Sequence, residues 1–172
     1  VGETKSGERI SSEELLSRML SPGGSSFFLL GDGGAGKTTA LLRAAYLQPA
    51  KYSGAEPAVT YLSLYGWTEG KSDYIKNRIL ESLKFKPETD SMELARHELV
   101  RLLSVPMYTR FGERPQLLIL LDGLNEISGN TKELLQEIME LSAMPGTRIL
   151  LAGRSDIEAV PFQRIRLKPL EK

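Results

Sequence analysis

The chain has 172 residues, a length that suits one ordinary domain with room for a real core, and its 22 Lys plus Arg balance 22 Asp plus Glu. A formal net charge of zero, with no like-charge block, gives no basis for adhesion to nucleic acid or to an anionic membrane. With no cysteine and a single histidine, disulfide scaffolds, thiol nucleophiles and Cys- or His-clustered metal sites are excluded.

The polar first residues, Val1 to Glu8, do not resemble a signal peptide, and no apolar run approaches about 18 residues, so a soluble cytoplasmic domain is expected. The chain does not begin with Met, which suggests a piece of a larger protein. Residues 1–24 read as a lead-in carrying one short helix. Ser11 and Glu14 stand at capping-box spacing before Leu15, Leu16, Met19 and Leu20, and Ser21-Pro22-Gly23-Gly24 ends the helix. Residues 25–172 read as a nucleotide-binding domain.

That domain opens with the apolar run Phe27-Phe28-Leu29-Leu30, a first strand, followed by Gly31-Asp32-Gly33-Gly34-Ala35-Gly36-Lys37-Thr38. The latter fits GxxxxGK[ST], and a helix-forming stretch, Ala40 to Ala45, comes next, so the motif has the strand before and helix after that a phosphate loop requires. Glycines let successive N–H groups turn toward one anion, and the helix adds its positive N-terminal dipole. Lys37 is expected to reach the β- and γ-phosphates and the Thr38 hydroxyl to ligate Mg²⁺. Thr39 is expected on the α-phosphate through its hydroxyl or its backbone, and Asp32 is a secondary member that suits the turn.

The helix after the loop should stop near Pro49. Ala58 to Leu64 alternates as a second strand; Ser72 to Lys84 and the stripe Met92, Ala95, Leu99, Leu102 and Leu103 give two helices joined around Pro87. Leu117-Leu118-Ile119-Leu120-Leu121 reads as a third strand, buried on both faces. A helix over Thr131 to Ala143 stops at Pro145-Gly146. Arg148 to Ala152 and Arg164 to Leu167 complete five strands. Alternation of strands and helices implies an α/β fold, a mainly parallel sheet with helices on both faces.

Asp122 directly follows the five apolar residues of the third strand, where a carboxylate is placed to hold Mg²⁺ beside a bound triphosphate. Glu126, four residues on, is the candidate base for the attacking water. Arg154 ends the fourth strand; if that strand lies between the first and third, its guanidinium would face the γ-phosphate and separate ATP from ADP. His97 falls on the polar side of its helix, Trp67 is expected to pack at a core edge, and Arg164, Arg166 and Lys168 fit a strand with one wet face.

Together, Gly31 to Thr39, Leu118-Ile119-Leu120-Leu121-Asp122-Gly123-Leu124-Asn125-Glu126 and the strand ending in Arg154 resemble the NACHT family of the STAND class of P-loop ATPases. The resemblance spans about residues 25 to 170. It implies a five-stranded sheet of order 5-1-4-3-2, ATP or ADP with Mg²⁺ as ligands, and nucleotide exchange or hydrolysis that switches a closed monomer to a homo-oligomer. It also implies further helical and winged-helix domains in a longer protein. Asn125 stands where the family often has Asp, which removes one negative charge near the γ-phosphate.

The leading expectation is a Mg-dependent switch ATPase with Lys37, Glu126 and Arg154 in the chemistry. A scaffold that binds ADP or ATP with little turnover is the first alternative. A P-loop kinase is the second, disfavoured because no arginine-rich lid follows Asp122. The lack of an Asn-Lys-x-Asp element leans toward adenine over guanine.

Overall fold

The computed structural model describes residues 2–4, 9–51, 56–84, 91–110, 112–127 and 129–167. In chain order the elements are β1 (Gly2–Thr4), β2 (Arg9–Ile10), α1 (Ser12–Leu20), β3 (Phe27–Leu30), α2 (Lys37–Lys51) and β4 (Ala58–Ser63). They continue with α3 (Tyr74–Ser82), α4 (Met92–Leu103), β5 (Met107–Thr109), β6 (Gly112–Arg114), β7 (Leu117–Asp122), α5 (Lys132–Ala143), β8 (Thr147–Gly153) and β9 (Gln163–Leu167). Single 3-10 turns follow β4, at Leu64–Gly66, and β7, at Leu124–Glu126.

The expected strands one to five are β3, β4, β7, β8 and β9. They stand side by side as β9-β3-β8-β7-β4, all parallel, which is the order 5-1-4-3-2. Alternate side chains leave the sheet on opposite faces, so each strand feeds two cores. On one face Phe28, Leu62, Ile119, Leu121, Ile149 and Leu151 pack with Ile75 and Ile79 of α3, Leu99 and Leu103 of α4, and Leu134, Ile138 and Leu141 of α5. On the other, Phe27, Leu29, Leu118, Leu120, Leu150, Ala152 and Ile165 meet Leu15, Leu16 and Met19 of α1 and Leu41 and Ala44 of α2.

Several local expectations resolve in detail. The Ser11 hydroxyl caps α1 by accepting the Glu14 N–H at 3.1 Å. α2 runs to Lys51, two residues beyond Pro49, so the proline falls in its last turn. The lead-in contributes more than a helix: β1 pairs antiparallel with both β2 and β9 and extends the sheet to seven strands. The segment before β7 folds as the β5–β6 hairpin. Strands of two or three residues carry no readable period, which is why neither pair stands out in the sequence. The junction around Pro87 lies outside the described residues. Trp67 is buried and His97 exposed.

One buried acid ties the helices of the first face together. Glu137 of α5, 5% exposed, accepts the N–H groups of Ile75 and Lys76 at 3.0 Å each and so satisfies two of the orphan donors at the start of α3. Asp73, the residue ahead of that helix, has φ of +53° and makes no side-chain cap, so the capping carboxylate comes instead from 62 residues away. Burial pushes the Glu137 carboxyl above its ordinary range, against the opposing pull of the two N–H groups and of the Lys76 charge. Glu137→Ala is expected to cost about 2–4 kcal/mol by stranding one buried and one half-buried donor, read as a fall in chemical-denaturation stability. A folded-state pKa above the unfolded one means that this group favours the fold at low pH and loses that contribution as pH rises through the folded value. The parent should therefore gain on Glu137→Gln as pH is lowered, in paired thermal melts.

Candidate functional site

The C-terminal ends of β3, β7 and β8 form one edge of the sheet. Gly31 follows Leu30, whose partner is Gly153, while Leu121 lies opposite Leu151, so Asp122 is the last residue of β7 and Arg154 the first beyond β8. Between them opens a cavity of about 330 Å³ lined by residues of the glycine loop and the start of α2, of the turn after β7, and of the β8 end at Arg154. Gly33, Gly34, Gly36, Lys37, Thr38, Thr39, Asp122, Glu126 and Arg154 line it. Gly31, Asp32 and Ala35 do not, whereas Gly123, Asn125, Ala152 and Gly153 also line it.

The loop's shape follows from its glycines. Gly34 and Gly36 have φ of +78° and +83°, the left-handed region that favours glycine. Lys37 folds back so that its ammonium donates to the carbonyls of Gly31 at 2.6 Å and Asp32 at 2.8 Å. Asp32 thus contributes its backbone oxygen to the loop, and Ala35 is a buried anchor. Ala40 is the first α2 residue whose N–H closes onto a carbonyl four residues back, Gly36 at 2.8 Å, so the amides of Lys37, Thr38 and Thr39 are unpaired among the described residues. Unpaired amides and a helix N-terminus at a concave loop suit an anion such as a phosphate chain.

The second half of the site meets the first through a hydrogen bond. The Thr38 hydroxyl donates to Asp122 Oδ2 at 2.6 Å, joining residues 84 positions apart. Tyr61 of β4 donates its phenol to the same oxygen at 3.0 Å. Partial burial, that hydrogen bond and the charges of Asp122 and Glu126 push the Tyr61 phenol up to about 12, so it remains a protonated donor at any ordinary pH. Among the described residues no group of three or more His, Cys, Asp and Glu could hold a metal alone. A hydroxyl beside one carboxylate is instead the sparse, all-oxygen donor set that suits Mg²⁺, which keeps waters and takes ligand phosphates.

Gly123, at φ +85°, turns the chain immediately after Asp122 into the 3-10 turn, and the Glu126 carboxylate lies back over it. In the same turn Asn125 Oδ1 accepts the backbone N–H of Arg154. That bond fastens the β7 loop to the end of β8, and it uses an oxygen that either Asn or Asp would supply. The Arg154 guanidinium lies over the glycine loop, 3.8 Å from where a Cβ on Gly33 would stand. The condition for its expected role, a fourth strand between the first and third, is met by the sheet order.

Arg164 departs from the wet-face expectation. It donates to Asp156 at 2.9 Å and to the carbonyls of Ile157 at 2.9 Å, Val160 at 2.6 Å and Phe162, with its guanidinium 5.9 Å from the Phe28 ring centre. It gathers the segment after Arg154 onto the sheet; Arg166 is exposed, and Lys168 lies outside the described residues. Tyr61 and the Asn125 bond were not legible, because both depend on which strands become neighbours.

A comparison with protein-family models and one with curated proteins each find no match. Solved structures do match. The crystal structure of Cdc6p from Pyrobaculum aerophilum superposes with a TM-score of 0.59 at 17% identity, over 90% of this chain and 42% of that one. An ATP-binding cassette in a dimeric post-hydrolysis state with ADP and Pi gives a TM-score of 0.46 at 17% identity, over 84% of this chain and 81% of that one. The chain spans about two fifths of the length of the Cdc6p structure. The fold is that of the P-loop NTPases.

Gly153 is the tightest backbone position in the site. A Cβ there would stand 2.8 Å from Phe28 Cε2 and 3.1 Å from Asn125 Oδ1, and Phe28 is fully buried. Gly153→Ala is therefore expected to cost about 1–3 kcal/mol through overpacking, seen as a fall of several degrees in the calorimetric Tm.

Proposed function

We propose that this chain is the nucleotide-binding switch domain of a NACHT-type protein of the STAND class, which binds ATP or ADP with Mg²⁺ and hydrolyses ATP slowly. The observation that carries this reading is the Thr38–Asp122 hydrogen bond, which unites the two motifs in one cavity with Glu126 and Arg154. The sequence Asp122-Gly123-Leu124-Asn125-Glu126 supplies the family-specific part.

In this reading Lys37 and the unpaired amides at the start of α2 bind the phosphates, with Gly31 to Gly36 shaping the loop and Thr39 at the α-phosphate. Thr38 and Asp122 hold Mg²⁺, which when bound offsets charge on the phosphate oxygens. Glu126 orients the attacking water and accepts its proton, giving ADP and phosphate. Arg154 contacts the γ-phosphate and distinguishes ATP from ADP. Residues 1–24 are the lead-in and 25–172 the switch domain of a longer cytoplasmic protein. Its partners are its own further domains and, under nucleotide control, other copies of itself.

A second reading, a scaffold that binds nucleotide with little turnover, is favoured by Asn125. A neutral amide occupies the position of an acid, and its oxygen is engaged by the Arg154 backbone.

Calorimetry on the chain should show Mg-dependent ATP and ADP binding, weakened about 100-fold by Lys37→Ala. Single-turnover hydrolysis should fall about 100-fold or more in Glu126→Gln while ATP affinity stays within about threefold. Tight binding with no phosphate release by the parent would select the scaffold, and absence of nucleotide binding would overturn both readings.

A further inference from the structure

β4 is the outer strand of the sheet, and its residues alternate between the two faces. Leu62 is buried on the face of α3, whereas Val59 packs with the α2 cluster on the other. Tyr61 shares the parity of Val59, so it stands on the face that carries α2 and the phosphate loop. In register it lies opposite Leu120, two residues short of the Ser63–Asp122 pair. Its ring must run along the strand to bring its hydroxyl to Asp122, and it does so at 3.0 Å. Ser63 is nearer in register, and its hydroxyl caps the following 3-10 turn by accepting the Tyr65 N–H at 3.4 Å.

We infer that Tyr61 is a positioning residue for Asp122, one that sets the carboxylate's orientation for Mg²⁺ through the Tyr61–Asp122 hydrogen bond. The inference rests on the reading of Asp122 as a Mg²⁺ group. Two donors, Thr38 and Tyr61, converge on Oδ2 from different elements, α2 and β4. One donor would leave the carboxylate free to rotate about it; a second donor from another element restrains that rotation, and both leave Oδ1 as the available ligand atom. Outer partners that orient a ligating carboxylate typically alter metal affinity about 10- to 100-fold when removed. Tyr61 is 37% exposed, so the lower end of that range applies.

This role is specific to the metal and separable from packing. Tyr61→Phe keeps the ring and removes only the hydroxyl. Affinity of the full 172-residue chain for ADP is measured by calorimetry in excess Mg²⁺ and in EDTA. A titration of Mn²⁺ into the ADP-loaded chain, followed by its electron-spin resonance, reports the metal directly. Thermal melts and the emission of Trp67, the single tryptophan, verify the fold. The expected result is a roughly tenfold fall in the ratio of Mg²⁺ to EDTA affinity and a matching loss of Mn²⁺ affinity, with EDTA affinity and Tm unchanged. An unchanged ratio overturns the inference. A parallel fall in both affinities also overturns it, because that marks a structural residue. Asp122→Asn separates the two levels. If it abolishes the Mg²⁺ dependence while Tyr61→Phe leaves it intact, only the Tyr61 role fails. If the parent shows no Mg²⁺ dependence, the metal reading of Asp122 fails and takes the Tyr61 role with it.

Discussion

Parallel hydrogen bonding sets Phe28 opposite Leu151 and Leu151 opposite Leu121, and every feature of the site depends on that register. It brings the ends of β3, β8 and β7 level, so the glycine loop, Arg154 and Asp122 leave the sheet at one edge. A slip of one residue would turn Asp122 to the other face and would send the alternating core residues of β7 to the wrong helices. The near-continuous apolar runs of β7 and β8 resist such a slip because both faces are filled. The strand residues that build the core therefore also aim the polar residues beyond it.

The bonds that cross between strand ends are few and unequal in kind. Thr38 to Asp122 joins helix to strand, Asn125 to Arg154 joins one loop to the next strand, and Tyr61 braces Asp122 from the outer strand. Arg164 then draws the segment after Arg154 back onto the sheet through one carboxylate and three carbonyls. The outcome is a polar rim in which Thr38, Asp122, Tyr61 and Asn125 are joined across elements that lie far apart in sequence. Preorganisation of this kind is what charge stabilisation at a phosphate requires.

How much of this was legible in the sequence follows from what a local pattern can carry. The glycine loop could be placed because its strand and helix flank it, and Asp122 because an acid ending five apolar residues calls for a use. Sheet order came from the family resemblance, since no periodicity states which strands pair. β1, β2 and the β5–β6 hairpin are too short for any period. Tyr61 looked like an ordinary member of an alternating strand, because its partner is fixed only when β4 settles against β7. The alternation of Arg164, Arg166 and Lys168 points to solvent for a similar reason: the acceptors of Arg164 lie in the segment between β8 and β9, whose path no local pattern states.

The Glu137 carboxylate, closing the start of α3 from 62 residues away, also bears on the order in which the molecule is assembled. During synthesis α3 emerges long before α5, with two backbone donors open to water and no cap of its own from Asp73. The carboxylate that caps it becomes available only once the chain through β7 and α5 has been made. Contacts of such long sequence separation slow folding and bind early and late segments into one transition. The helical side of the sheet half that carries Tyr61 and Asp122 is thus closed by a contact between segments made far apart in time.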